Sequence, residues 1–234
     1  MVQGFWLVLL GLFAAGYFVL EGADFGAGMV LAVLGRGDRS GRDDVVRAIA
    51  PRFLGNEVWM VATIGVVDGA FPKVGELLLG RGYPALIAIL LGWLVRDAGL
   101  WFRRRGDATW RWDLAIGVAS VVLAGGWGVL WGRLLGVGIT LQALSAVALA
   151  GLCVVHGLAF LGRLPRGRAA TFAVTSLVLA SAPLLVGWAA FPAVSVSAPT
   201  LNALTPLVIG ALPVLAVGQV GLWWLGRTPM RSYF

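Results

Sequence analysis

Charged side chains are scarce in this chain, since only 12% of its 234 residues are Asp, Glu, Lys or Arg, whereas 59% are hydrophobic. A soluble domain carries about 25% charged residues, so the composition excludes a water-soluble globule. The single cysteine, Cys153, excludes an intramolecular disulfide and a cysteine-rich zinc or iron–sulfur site. The single histidine, His156, means that this chain alone cannot hold a haem between two histidines.

Apolar runs long enough to cross a bilayer recur along nearly the whole sequence. A membrane-spanning helix needs about 20 mostly apolar residues, and the runs lack the alternation typical of membrane strands. They predict an all-α polytopic membrane bundle that forms a single integral membrane domain over residues 1–234. Within it we expect four helices over 1–135 and a packing body of three over 136–234. The seven predicted spans are 4–34, 54–80, 83–103, 112–134, 140–162, 169–191 and 203–226.

The cations fall on alternate sides of these spans. Because Lys and Arg are retained on the cytoplasmic side, the alternation predicts an outside N-terminus and a cytoplasmic C-terminus, and it argues against nucleic-acid binding. The predicted cytoplasmic cations are Arg36, Arg39, Arg42, Arg47, Arg52, Arg103, Arg104, Arg105, Arg111, Arg163, Arg166, Arg168, Arg227 and Arg231. On the other side are Lys73, Arg81 and Arg133.

Acidic residues inside the apolar runs are the first candidates for a functional site, because burying an Asp in a bilayer costs about 2.5–3.5 kcal/mol. Glu21 and Asp24 have the spacing of one helix face, and Glu57 begins the second span. The expected topology brings all three into the cytoplasmic half. Two interpretations stay open, namely a proton or cation path and a static ion-pair network around Arg96. For Asp97, beside Arg96, the static network is favoured.

Other residues give weaker evidence of a functional role. Asp68 lies near the outer end of its span, where a carboxylate reaches interfacial water, although an accessory role is also open. His156 fits a hydrogen-bonded packing histidine better than a contact with a quinone, a haem edge or a proton route. Three glycines, Gly22, Gly26 and Gly28, are expected to form a small-residue face for close helix packing.

Several motifs match one known family. The segment GYFVLEGADFGAGM over residues 16–29 resembles the first helix of subunit II of the cytochrome bd quinol oxidases, which reads GY-x-x-x-(D/E)-G-x-D-x-G-x-GM. The stretch I-x-P at 49–51, GNEVW at 55–59 and FP at 71–72 also matches, as do Arg96 and Arg103 of an R-x-x-x-F-(E/D)-(F/Y)-R motif. Trp112-Asp113, GRLL at 132–135 and His156-Gly157 extend the resemblance.

This resemblance implies a bacterial plasma-membrane complex that takes quinol from the quinone pool and reduces O₂ to water. It implies that a larger partner, subunit I, holds the haems b and d, and that this chain is an enzyme subunit that binds no cofactor alone. Subunit II would scaffold that partner among the membrane lipids and contribute acids to proton uptake from the cytoplasm. Glu21, Asp24 and Glu57 match the family acids, Arg96 and Arg103 would position the end of the third span, and Asn56 and Trp59 would support helix packing.

The sequence also departs from the family pattern. Leu54 and Trp101 stand where the family has acids, and Asp68 stands where the family has an apolar residue and could compensate. Two helices of the family's nine-helix scaffold are expected to be absent between the fifth and sixth spans. Two alternative functions remain open from sequence, namely a small proton- or cation-coupled transporter and a purely structural assembly subunit.

Overall fold

The described chain consists of helices joined by short connections. The computed structural model describes residues 2–34, 37–103, 109–164, 166–191 and 198–225, and no strand occurs in these ranges. The all-α prediction is therefore confirmed. The elements are α1 (Val2–Val33), α2 (Arg39–Ile49), α3 (Phe53–Ala70), α4 (Pro72–Phe102), α5 (Thr109–Leu134), α6 (Ile139–Phe160), α7 (Arg168–Ala190) and α8 (Ala198–Leu225). Outside the described residues lie Arg36, Arg104, Arg105, Arg227, Arg231 and the last residue of the seventh predicted span, Gly226.

Six of the described helices are long and apolar enough to cross a membrane, namely α1, α4, α5, α6, α7 and α8. The seventh long helix, α3, falls outside this group and carries Asn56, Glu57 and Asp68 within 18 residues. The expected bundle of about seven membrane helices agrees with this arrangement. The short α2 is amphipathic, with Val45 and Ile49 buried, and Asp38 caps its start by accepting a hydrogen bond from the Gly41 backbone at 2.9 Å.

The boundary predicted between the second and third spans is wrong. We expected the break near residues 81–82, but α3 and α4 meet at Phe71, and α4 continues through Gly82 and Pro84. The backbone N–H at the first position of a helix has no partner within that helix. Proline lacks this N–H and therefore loses no hydrogen bond there, which makes Pro72 a favourable first residue for α4. Gly82 is retained inside α4 because it packs closely against Leu130 of α5. The apolar runs alone did not reveal either effect.

Helix α1 is the central element of the bundle and contacts α3, α5, α6 and α7. Gly22 and Gly26 allow close approach of α6 and α7, since a Cβ at Gly26 would overlap the backbone of Cys153 and Gly157. Gly28 instead faces Ser120 of α5. The expected single small-residue face is therefore wrong. Residues at positions 22 and 26 share a face, whereas position 28 is turned well away from it on a helix with 3.6 residues per turn.

Candidate functional site

A buried arginine gathers two acids from different helices. Arg96 of α4 donates from Nη1 to Glu21 Oε2 at 2.5 Å and from Nη2 to Glu57 Oε1 at 2.7 Å. Each of the three residues is at most 6% exposed. The ring of Phe25 lies 5.3 Å from the Arg96 guanidinium carbon and covers it. These contacts join α1, α3 and α4 through charged groups inside the bundle.

Asp24 lies at one end of a chain of hydrogen bonds that continues through two amide side chains. Its Oδ2 accepts a hydrogen bond from Asn56 Nδ2 at 2.9 Å, and Asn56 Oδ1 accepts one from Gln219 Nε2 at 3.3 Å. The Gln219 Oε1 in turn accepts from Trp59 Nε1 at 2.9 Å. Asn56 and Trp59 were expected to serve helix packing, and both also carry this polar chain. Gln219 was not predicted from the sequence, although an amide within the otherwise apolar stretch of α8 indicates a polar contact inside the bundle.

Two carboxylate oxygens of this site lack a hydrogen-bond partner among the described residues, namely Glu21 Oε1 and Asp24 Oδ1. Asp24 and Asn56 also line a cavity of about 70 Å³. A water molecule needs about 10–15 Å³ of such space and polar neighbours, so the cavity has room for water beside Asp24. Its lining residue Arg52 also lines a larger open pocket at the α2 end of the bundle.

Asp97 and Asp68 occupy different surroundings. Asp97 Oδ1 lies 3.5 Å from Arg96 Nε, at the edge of the cluster, with its side chain 24% exposed. Asp68 is exposed on α3, and its eleven-residue separation from Glu57 corresponds to about 16 Å along the helix axis. The structure therefore brings Asp97 beside the cluster and leaves Asp68 apart from it.

The two positions where family acids were expected face outward. Leu54 is 52% exposed and Trp101 is 36% exposed. Neither residue lines the Arg96 cluster, where Glu21 and Glu57 supply both bonded carboxylates. Neither position therefore contributes a side chain to the buried site that this chain forms.

A second buried ion cluster lies at the end of α4. Arg103 Nε pairs with Asp113 Oδ1 at 2.5 Å, Arg42 Nε pairs with Asp113 Oδ2 at 2.8 Å, and Arg103 Nη1 pairs with Asp43 Oδ1 at 2.7 Å. Burial alone would lower the pKa of Arg103, but Asp113 and Asp43 together raise it above its ordinary value. These ion pairs join α2 to α4 and α5. Sequence reasoning assigned Arg103 a positioning role but missed its partners.

His156 is fully buried and hydrogen-bonded through both ring nitrogens. Nε2 lies 3.0 Å from the Val19 carbonyl oxygen, and Nδ1 lies 2.6 Å from Thr175 Oγ1. Because a carbonyl can only accept, Nε2 carries a proton and donates to Val19. The ring also stacks on Phe172, with the centroids 4.4 Å apart. These contacts place His156 at the junction of α1, α6 and α7.

The described residues show neither a cluster of metal ligands nor a histidine free to ligate a haem. No group of three His, Cys, Asp or Glu side chains in the described ranges is arranged to hold a metal. An axial haem ligand needs a ring nitrogen with a free lone pair, and both nitrogens of His156 face other partners.

Comparison with known proteins decides the family. The family model described as cytochrome bd terminal oxidase subunit II matches residues 2–232. The chain belongs to the cytochrome bd terminal oxidase subunit II family. Together with six helices long and apolar enough to cross a bilayer, this membership assigns the protein to the bacterial cell membrane and confirms the predicted resemblance.

Individual relatives match over parts of their length. The chain is 35% identical over 133 residues to cytochrome bd-I ubiquinol oxidase subunit 2 of Escherichia coli (strain K12), covering 56% of this chain and 35% of the relative. It is 32% identical over 150 residues to a probable cytochrome oxidase subunit 2 of Haemophilus influenzae, covering 62% of this chain and 39% of the relative. For cytochrome bd ubiquinol oxidase subunit 2 of Bacillus subtilis (strain 168), the identity is 31% over 117 residues, covering 48% of this chain and 34% of the relative. The matched stretches thus make up well under half of these relatives.

Proposed function

We propose that this chain is subunit II of a bd-type quinol oxidase. It packs against a larger haem-bearing subunit I in the membrane, and quinol from the quinone pool is the substrate of the complex. In this complex Glu21, Asp24 and Glu57 pass protons from the cytoplasmic side toward the partner's oxygen-reducing site. The chain itself binds no haem and does not catalyse the reaction alone. Family membership supports the assignment to the complex, and the geometry of the acids supports the proton path.

The observation that carries the proton path is the convergence of three buried acids around one arginine. Arg96 bonds Glu21 and Glu57, and Asp24 is joined to the neighbouring Asn56. One guanidinium offsets one negative charge, so three ionised carboxylates would leave excess negative charge in a membrane interior. Such charge is costly there, and each proton bound to the cluster reduces it by one. A cluster in which some carboxyl groups are protonated and others are ionised can pass protons between its members.

A route toward the cluster begins at the α2 end of the bundle. The open pocket there and the small cavity beside Asp24 share Arg52, Phe160, Phe172 and Trp223 as lining residues. Water in the small cavity would contact Asp24, whose Oδ1 has no hydrogen-bond partner among the described residues. Protons would then move from water to Asp24 and on to the acids bound by Arg96.

The test uses the assembled complex with each acid replaced by its amide, as Glu21→Gln, Asp24→Asn or Glu57→Gln. Co-purification of a haem protein is measured first, from the reduced b- and d-type absorption, and quinol-dependent O₂ consumption is measured second. We expect turnover to fall by at least about tenfold, a threshold set below the roughly 10²–10⁴-fold that a positioned acid–base group contributes. Asp68→Asn is the matched control, since Asp68 is exposed and lies apart from the cluster.

A structural role is the second candidate, because Arg96 also joins α1 and α3 through its ion pairs with Glu21 and Glu57. The same three variants distinguish the two functions. Normal assembly with reduced turnover supports the proton path. Unchanged turnover in all three variants, with lowered thermal stability, contradicts the path and assigns the acids a structural role. If no haem protein co-purifies with the parent chain, that result contradicts membership in an oxidase complex.

A further inference from the structure

We propose that the open pocket between α2, α6, α7 and α8 binds the phosphodiester headgroup of an anionic phospholipid. The pocket has a volume of about 760 Å³ and lies where α6 ends and α7 begins. Its polar lining is dominated by Arg52, Arg163 and Arg168. The proposal concerns lipid binding and does not rest on proton transfer by the acids described above.

The arginines are held in place by the backbone. Arg163 Nη2 donates to the Gly41 carbonyl at 3.0 Å. Arg168 donates from Nε to the Ala159 carbonyl at 2.9 Å and from Nη2 to the Phe160 carbonyl at 3.0 Å. A guanidinium retains further N–H donors after such contacts, and its planar fork matches phosphate oxygens. The two side chains are thus positioned for an anion while both remain exposed.

The charges of Arg163 and Arg168 are not balanced by a carboxylate among the described residues. Neither Arg163 nor Arg168 forms an ion pair with a carboxylate in the described ranges, and every acidic residue of the sequence lies at or before Asp113. Asp44 also lines the pocket, but it pairs with Arg47. The positive end of the α7 helix dipole adds to the field at Arg168. An anion from outside the chain therefore complements the pocket.

The walls of the pocket favour a lipid over a free ion. Phe160, Phe172 and Trp223 line it together with alanines of α2, α6 and α7. The guanidinium carbon of Arg52 lies 5.6 Å from the ring centroid of Phe160 and 5.3 Å from that of Trp223. Aromatic residues of this kind are enriched at the headgroup level of membranes, and basic pockets between membrane helices bind anionic headgroups. The arginines would hold the phosphate, and the apolar walls would contact the acyl chains.

Native mass spectrometry of the purified protein, with any subunit that co-purifies, tests the proposal. The protein is titrated with dioleoyl-phosphatidylglycerol and with dioleoyl-phosphatidylcholine, which share acyl chains and differ in net charge. We expect phosphatidylglycerol to bind more tightly, and Arg163→Gln/Arg168→Gln to weaken it by at least about tenfold. The matched control is Arg39→Gln/Arg166→Gln, which removes the same charge from exposed arginines outside the pocket and should change the affinity by less than about twofold.

Arg163→Gln alone is included because Arg168 also binds the carbonyls at the end of α6. It should weaken phosphatidylglycerol binding by at least about threefold while the helix content stays that of the parent protein. Equal affinity for the two lipids, or equal loss in the control variant, would overturn the proposal. Inorganic phosphate that displaces the lipid at submillimolar concentration would assign the pocket to free phosphate and would also overturn it.

Discussion

Arg96 of α4 and Glu57 of α3 pair at 2.7 Å, at the end of these helices remote from their shared turn at Phe71. Because the turn joins α3 and α4 at one end only, the ion pair is what holds their other ends together through charge. The same guanidinium reaches Glu21 of α1 at 2.5 Å. A single side chain therefore fixes the relative positions of three helices and of two acids.

Replacing Arg96 with Gln should destabilise the protein strongly. Removal of one partner from a buried ion pair costs about 3–5 kcal/mol, because the remaining charge loses its compensation. We expect a lower midpoint of thermal unfolding in detergent. Removing the charge of Glu57 as well, in Arg96→Gln/Glu57→Gln, should restore part of the lost stability. The exposed Arg111→Gln is the matched control, and equal destabilisation by it would contradict the importance of the buried pair.

The amide chain between α3 and α8 should show energetic coupling. Gln219→Leu and Asn56→Leu each remove one side of the 3.3 Å hydrogen bond between these residues. A neutral hydrogen bond contributes about 0.5–1.5 kcal/mol, so the double variant should be less destabilised than the sum of the single variants by about that amount. Unfolding free energies in mixed detergent measure the cycle. The Thr205→Val and Asn56→Leu pair, which shares no hydrogen bond, should be additive.

Gly26→Ala tests the close crossing of α1 and α6. The added methyl group would overlap the Cys153 carbonyl and approach the Gly157 backbone, so neither helix can yield by rotating a side chain. We expect a loss of about 1–3 kcal/mol in unfolding free energy. Gly151→Ala, on the exposed side of α6, meets nothing within 4 Å and should be neutral or slightly stabilising. Similar losses for both variants would contradict the packing role.

The fold and part of the site were predictable from the sequence because each depends on local chemistry. Apolar length revealed the helices, and buried charge marked Glu21, Asp24 and Glu57. The break at Phe71 could not be predicted from apolar length, because an apolar run does not show where one helix ends and the next begins. The signal there is Pro72, which favours a helix start. The pairing of Asp113 with Arg42 and the contact of Gln219 with Asn56 depend on helix packing between distant segments. Such partners follow only from the three-dimensional arrangement.

The second ion cluster predicts a role for Asp113 in holding α2. Asp113 accepts from Arg42 at 2.8 Å and from Arg103 at 2.5 Å, so Asp113→Asn removes the carboxylate that two buried guanidinium groups share. We expect a loss of about 3–5 kcal/mol and faster proteolysis between α1 and α3. Asp44→Asn affects an exposed pair with Arg47 and should change stability by less than about 1 kcal/mol. Intact α2 in the Asp113 variant would contradict this assignment.

Sidedness of the membrane helices is the expectation on which a cytoplasmic proton path depends, and cysteine labelling tests it. The native Cys153 is buried, so it should not react with a membrane-impermeant maleimide and need not be removed. Ser40→Cys lies on α2 and Glu76→Cys lies near the start of α4, and both positions are exposed. If Lys and Arg mark the cytoplasmic side, intact spheroplasts should label Glu76→Cys at once and Ser40→Cys only after permeabilisation. The opposite result would place the open pocket and the Asp24 cavity on the outer side, where they could not receive protons from the cytoplasm.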